Sequence, residues 1–194
     1  YLCMKGEEHI IGEQPGKDQL TQKLIKRGKR GLLYLAKLPF IKYIGISGSV
    51  AASNPIGTKD GDQPGFVDLD LFVICRSNCL WILFLIERVI KNIRSLYSKN
   101  HFFCFNYATD ESFLEIYNKN FYTATEITNL KTLYDDNIYE DFLYANQWYE
   151  KYYPKIERVA DRKFEKGILS WTMLLAPLNF AFFTIFCVGR AVKR

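Results

Sequence analysis

The stretch Tyr43–Cys75, YIGISGSVAASNPIGTKDGDQPGFVDLDLFVIC, decides how the rest of the chain is read. Its opening, Tyr43-Ile44-Gly45-Ile46-Ser47, predicts a short strand, and Gly48-Ser49 then leads into Val50-Ala51-Ala52, which can start a helix. Asn54-Pro55 stops that helix early, because the residue before a proline avoids the helical region. After a polar loop, NPIGTKDGDQPG, the run Phe66 to Ile74 is β-branched, aliphatic or aromatic except for Asp68 and Asp70, the pattern of a buried central strand.

Side chains alternate along a strand, so Asp68 and Asp70 point one way while Val67, Leu69 and Leu71 point the other. Two neighbouring carboxylates raise each other's pKa unless a cation lies between them, and hard oxygen ligands suit Mg²⁺ or Mn²⁺. A strand, a Gly-Ser turn and a helix start also present N–H groups and a hydroxyl to a phosphate. Without a ligand, the same residues describe an α/β protein with a turn and two incidental acidic side chains.

Composition sets wider bounds. At 194 residues, 48% hydrophobic and 16% aromatic, the chain can bury one core and is not a disordered polymer. Its 26 Lys and Arg against 21 Asp and Glu leave a charge of +5, a mild excess that suits polyanions such as nucleotides or tRNA without requiring them. Cys3, Cys75, Cys79, Cys104 and Cys187 are odd in number and scattered, which reads as reduced thiols in a cytoplasmic protein. With His9 and His101 alone and no Cys-x-x-Cys pair, the donors for any metal are expected to be oxygens. The chain starts at Tyr1 with no signal-peptide pattern, as a piece of a longer protein would.

Along the chain, residues 1–16 are expected to be extended, with a Gly-Pro break. Lys17 to Leu38 carries Leu20, Leu24, Leu32 and Leu35 near helical spacing among five basic residues, a basic helix weakened by Gly28 and Gly31. Leu80 to Ser98 repeats Ile82, Ile86 and Val89 as a long amphipathic helix. Phe102 to Tyr107 is the next strand, and Tyr122–Tyr134 and Ile138–Tyr153 are expected to be packing helices. The uncharged run 168–189, followed by Arg190, Lys193 and Arg194, is long enough to span a bilayer. Its Pro177, Asn179 and hydroxyl residues favour a buried or oligomer-forming helix pair over membrane contact.

The Gly48-Ser49 turn followed by the Asp68-x-Asp70 strand resembles the nucleotidyltransferase superfamily, whose fold DNA polymerase beta and the minimal bacterial nucleotidyltransferases share. Fainter similarity runs on to about Trp148 through FNYATDESF, YTATEITNLKTLYD and YEDFLYANQWYEKYYP. The resemblance implies an α/β (α+β) mixed sheet flanked by helices over residues 17–135, with a helical region and apolar tail over 136–194. It implies nucleotide binding by Gly48 and Ser49, and catalysis and Mg²⁺ or Mn²⁺ binding by Asp68 and Asp70. The implied reaction transfers an NMP from an NTP to an acceptor hydroxyl on an unidentified small molecule, RNA or protein. Two features depart from the pattern: the gap from Ser49 to Asp68 is long, and the later strand offers Asn106 where the superfamily has a third carboxylate. Asp110, Glu111 and Glu115 are the nearby acidic alternatives. The competing expectation is a catalytically degenerate member that binds a nucleotide or a partner.

Overall fold

Strand β1 (Ile41–Ser47) and strand β2 (Leu69–Cys75) pair antiparallel, from Ile41 opposite Cys75 to Ser47 opposite Asp70. Helix α3 (Leu80–Tyr97) follows β2 and returns the chain to β3 (Phe103–Asp110), which lies parallel to β2 on its other side. A fourth strand, β4 (Lys131–Asp135), runs antiparallel along the free edge of β1, so the order is β3-β2-β1-β4. This is the expected mixed sheet flanked by helices. The computed structural model describes residue 6 and residues 9–55, 68–97, 103–154 and 177–184. Most of the expected polar loop (residues 56–67), Cys3, His101, Cys187 and positions 168–176 and 185–189 of the apolar run lie outside the described residues.

The sheet is apolar on both faces, and alternation along its strands sorts two cores. Ile44, Ile46, Leu69, Leu71 and Val73 face one way, against Leu32, Leu35 and Ala36 of α1 (His9–Ala36), Val50 and Ala51 of the one-turn helix α2 (Gly48–Ala51), and Ile82 and Leu83 of α3. Tyr43, Phe72 and Ile74 face the other way, against Ala124 and Ile127 of α4 (Phe121–Asn129) and Phe142 of α5 (Tyr139–Ala145). The second core is aromatic: Phe72 stacks on Tyr107 at 4.8 Å and Tyr43 on Tyr139 at 5.0 Å between ring centres.

Three expected boundaries are corrected. Residues 9–16, expected to be extended, form the first turns of α1, which continues through Pro15. Pro15 removes one helical N–H, but this half of α1 is largely exposed and Gln14 secures it, donating to Asp18 (3.1 Å) and to the Ser53 carbonyl (3.0 Å). The helix expected over 122–134 divides at Leu130 into α4 and β4. Ile127, Leu130 and Leu133 fit a helical spacing, but residues 131–135 supply the ladder that the open edge of β1 lacks.

The helix expected over 138–153 stops at Asn146 and resumes as a 3₁₀ turn, Gln147–Lys151. Asn146 is fully buried. Its carbonyl oxygen accepts from the Ile116 N–H at 2.8 Å, and its amide donates to Leu114 O at 2.7 Å and Phe142 O at 2.8 Å. The side chain therefore substitutes for backbone pairing and joins the 111–117 segment to the end of α5.

In the C-terminal region, residues 177–184 are helical and lie against the start of α3. Asn179 Oδ1 accepts from the Trp81 N–H (2.9 Å) and more weakly from the Ile82 N–H (3.4 Å), donors that a helix's first turn cannot pair internally. Phe183 packs on Trp81 at 5.2 Å. Among the described residues no helix is long and apolar enough to cross a membrane.

Replacing Asn146 with Ala leaves the Ile116 N–H, the Trp148 indole N–H and two carbonyls without this partner. Asn146→Ala is expected to lower the unfolding free energy by roughly 2–4 kcal/mol, read from urea transitions.

Candidate functional site

The antiparallel ladder of β1 and β2 ends at Ser47 and Asp70, and there the chain turns away. Gly48 makes the turn with φ +67°, the left-handed region in which a Cβ is strained. A second constraint acts at the same atom. A Cβ on Gly48 would lie 2.2 Å from Asp70 Oδ2 and 3.0 Å from its Cγ, so the aspartate carboxylate occupies the space of the missing side chain. Two of the residues expected in one site, Gly48 and Asp70, are thus in direct contact. Ser49 follows in α2, where its carbonyl accepts the Asn54 N–H at 2.9 Å. Among the described residues its hydroxyl has no hydrogen-bond partner.

Asp70 stands opposite Cys104 in the parallel ladder, and the Cys104 thiol donates to Asp70 Oδ1 at 3.1 Å. Burial pushes this thiol up to about 12, helped by its hydrogen bond to Asp70 and by the charges of Asp70 and Asp68. It stays protonated and serves as a donor rather than a nucleophile. Asp68 lies just ahead of β2, two residues before Asp70, and the same thiol feels both carboxylates.

Asn106 belongs to a bulge in β3: Leu71 faces Phe105 and Phe72 faces Tyr107, which leaves Asn106 as the extra residue. A bulge re-aims its side chain. The Asn106 amide donates to Ser47 Oγ at 3.2 Å and to Glu126 Oε2 at 3.4 Å. Asn106 therefore does reach the site, as a donor that a third carboxylate could not replace. Asp110, Glu111 and Glu115 do not reach it. Asp110 pairs with Cys75, five residues beyond Asp70 and roughly 16 Å along the strand. Glu111 accepts from Ser77 N, and Glu115 pairs with Lys119. An open cleft of about 440 Å³ lined by Glu111, Phe113 and Glu115 lies at that far end, away from Gly48 and Asp70.

The carboxylate that does arrive is Glu126. Its Oε2 accepts the Gly48 N–H at 3.1 Å, across 78 positions of sequence. Burial raises its pKa, the Gly48 hydrogen bond opposes the rise and the charge of Asp70 adds to it. Glu126 is the only acidic or basic residue in α4, FYTATEITN, and a lone charge on a helix with buried Ala124 and Ile127 is the signal that could have singled it out. One turn earlier, Tyr122 has its pKa raised by Glu126, then by burial and Asp70.

The oxygen donors fit a hard cation such as Mg²⁺ or Mn²⁺. Among the described residues no three His, Cys, Asp or Glu side chains converge as a metal-binding group. Two aspartates are still a sufficient protein share for Mg²⁺, which ordinarily keeps water and phosphate oxygens as its other ligands. No protein-family model, curated protein or solved structure matches the chain.

Gly48→Ala is expected to destabilise the fold by at least about 2 kcal/mol, and Asp70→Ala in the same chain to recover part of that loss. A double-mutant cycle of urea transitions measures the coupling. Glu126 supplies a pH signature. Its folded pKa lies above the unfolded 4.5, so above pH 4.5 the folded state holds more protons and stability falls as pH rises through the raised pKa. Glu126→Gln removes that titration. The stability difference, wild type minus variant, is expected to decline from pH 4.5 toward neutrality in urea midpoints.

Proposed function

We propose that the chain is a metal-dependent nucleotidyltransferase that transfers an NMP from an NTP to an acceptor hydroxyl and works in the cytoplasm. The observation that carries this reading is the seating of the Gly48 turn directly against Asp70 at the shared end of β1 and β2. Phosphate chemistry of this kind needs backbone donors and hard anionic ligands within one small volume. The free thiols of Cys75, Cys79 and Cys104 support a reducing compartment.

In the proposed reaction the acceptor oxygen bonds to the α-phosphorus, the bond between the α-phosphorus and its bridge to the β-phosphate breaks, and pyrophosphate leaves. Gly48 and Ser49 orient the leaving phosphates, while Asp68 and Asp70 would hold Mg²⁺ or Mn²⁺. When bound, such an ion offsets phosphate charge and makes the acceptor hydroxyl more acidic. Cys104 keeps Asp70 in place through its thiol. Glu126, with its raised proton affinity, is suited to take the acceptor proton at Oε2 once it leaves the Gly48 N–H.

The second reading is a catalytically degenerate member that binds a nucleotide or a partner. Two observations favour it: Asn106 stands where a third carboxylate is expected, and the Gly48 N–H is already engaged by Glu126. Asp68→Asn combined with Asp70→Asn is expected to abolish Mg²⁺-dependent pyrophosphate release from NTPs in the presence of cellular RNA and protein acceptors. Turnover that survives the double substitution overturns the enzyme reading. Calorimetric binding of Mg²⁺-ATP by a wild-type chain that releases no pyrophosphate supports the degenerate one.

A further inference from the structure

We infer that Tyr122 is a stacking platform for the base of a nucleotide, an inference that rests on the reading of the Gly48–Ser49 turn as a phosphate site. Three faces of α4 are distinguishable. Ala124 and Ile127 are buried against the sheet. Phe121 and Thr125 face the segment after α5, where Phe121 stacks on Tyr153 at 5.7 Å and Thr125 Oγ1 hydrogen-bonds the Tyr153 hydroxyl at 2.8 Å. Tyr122 and Glu126, four residues apart, share the remaining face. That face looks onto the site, because Glu126 reaches the Gly48 N–H and the Tyr122 hydroxyl feels both Glu126 and Asp70.

Tyr122 is 66% exposed, whereas its neighbour Phe121 is engaged by Tyr152 and Tyr153. Among the described residues no other ring stacks on Tyr122, in keeping with its exposure. The residue is nevertheless held in place. Asn120 Oδ1 caps α4 by accepting the Thr123 N–H at 3.0 Å, and the Thr123 hydroxyl oxygen accepts the Asn120 backbone N–H at 3.2 Å. Four residues of helix, about 6 Å, separate Tyr122 from Glu126 along the axis, a span that a nucleotide anchored by its phosphates exceeds. An exposed aromatic ring on a fixed helix, beside the proposed phosphate turn, has the attributes of a base-stacking surface, which tolerates any base because every base has a π-face.

The test is calorimetry of the full chain with Mg²⁺-ATP and, separately, with Mg²⁺-tripolyphosphate, which has the phosphates and no base. Tyr122→Ala is expected to weaken ATP binding by about 5- to 150-fold, the range of one base–aromatic stack, and to leave tripolyphosphate binding unchanged. Tyr122→Phe, which keeps the ring and drops the hydroxyl, is expected to bind ATP as the wild type does. Equal ATP affinity in wild type and Tyr122→Ala overturns the inference while leaving the phosphate site standing. A parallel loss of tripolyphosphate binding overturns it too, as does failure of Tyr122→Phe to restore ATP binding. If the wild type binds neither ligand, the reading of the turn falls and the inference falls with it.

Discussion

The contact between the Gly48 backbone and the Asp70 carboxylate constrains everything around it. An antiparallel pair can end in many ways, but here the last paired residues, Ser47 and Asp70, lie immediately before a left-handed turn that folds back over the carboxylate. Only glycine satisfies both the torsion and the space. The turn in turn aims α2 so that Val50 and Ala51 bury on the opposite face of the sheet. One glycine therefore joins the α1–α2–α3 core to the polar cluster on the other side. Gly45 plays a smaller part in the same strand, since a Cβ there would meet the Tyr43 hydroxyl at 2.7 Å and its ring at 2.8 Å, and that ring anchors the aromatic core.

Among the described residues the polar cluster is short of positive charge. Asp70 receives the Cys104 thiol, while Glu126 receives the Gly48 N–H and the Asn106 amide, and all of these donors are neutral. Lys91, the cation that the Cys104 thiol feels, is already paired with Glu87 at 2.7 Å. Neutral donors offset only part of the cost of half-buried carboxylates, and the rise in the Glu126 pKa is the unrelieved remainder. The chain as a whole carries +5, so this negative local field arises from the arrangement and not from composition.

Much of the fold is legible in the sequence because its signals are local. The apolar run through Asp70, the Gly48–Ser49 turn and the amphipathic 80–97 helix form where their patterns place them, although β2 starts at Leu69 and leaves Asp68 ahead of the strand in which it is expected. Elements set by distant partners are not legible. Strand β4 exists because β1 has an open edge, and in isolation its residues continue the helical spacing of α4. Asn146 resembles any polar helix residue until Leu114 and Ile116 approach it. The same distinction divides the site. Gly48 and Asp70 come together through adjacent strands, whereas Glu126 arrives from a helix 78 residues later and Asn106 is re-aimed by a bulge that no spacing rule anticipates.

Glu126 also makes the turn and α4 interdependent. One N–H donates at full strength to one acceptor, so an anion that takes the Gly48 N–H has to displace Glu126 Oε2. Helix α4 is held by Ala124 and Ile127 in the core, by the Asn120–Thr123 cap and by the Thr125–Tyr153 hydrogen bond, none of which involves Glu126. The exchange therefore requires only a rotation of the Glu126 side chain, with no shift of the helix. Such a rotation separates Oε2 from the Asn106 amide, which retains Ser47 Oγ as its other acceptor. Rotation takes Glu126 Oε2 from both of its donors, so an anion at the Gly48 N–H has to offset two lost hydrogen bonds and the repulsion of Asp70.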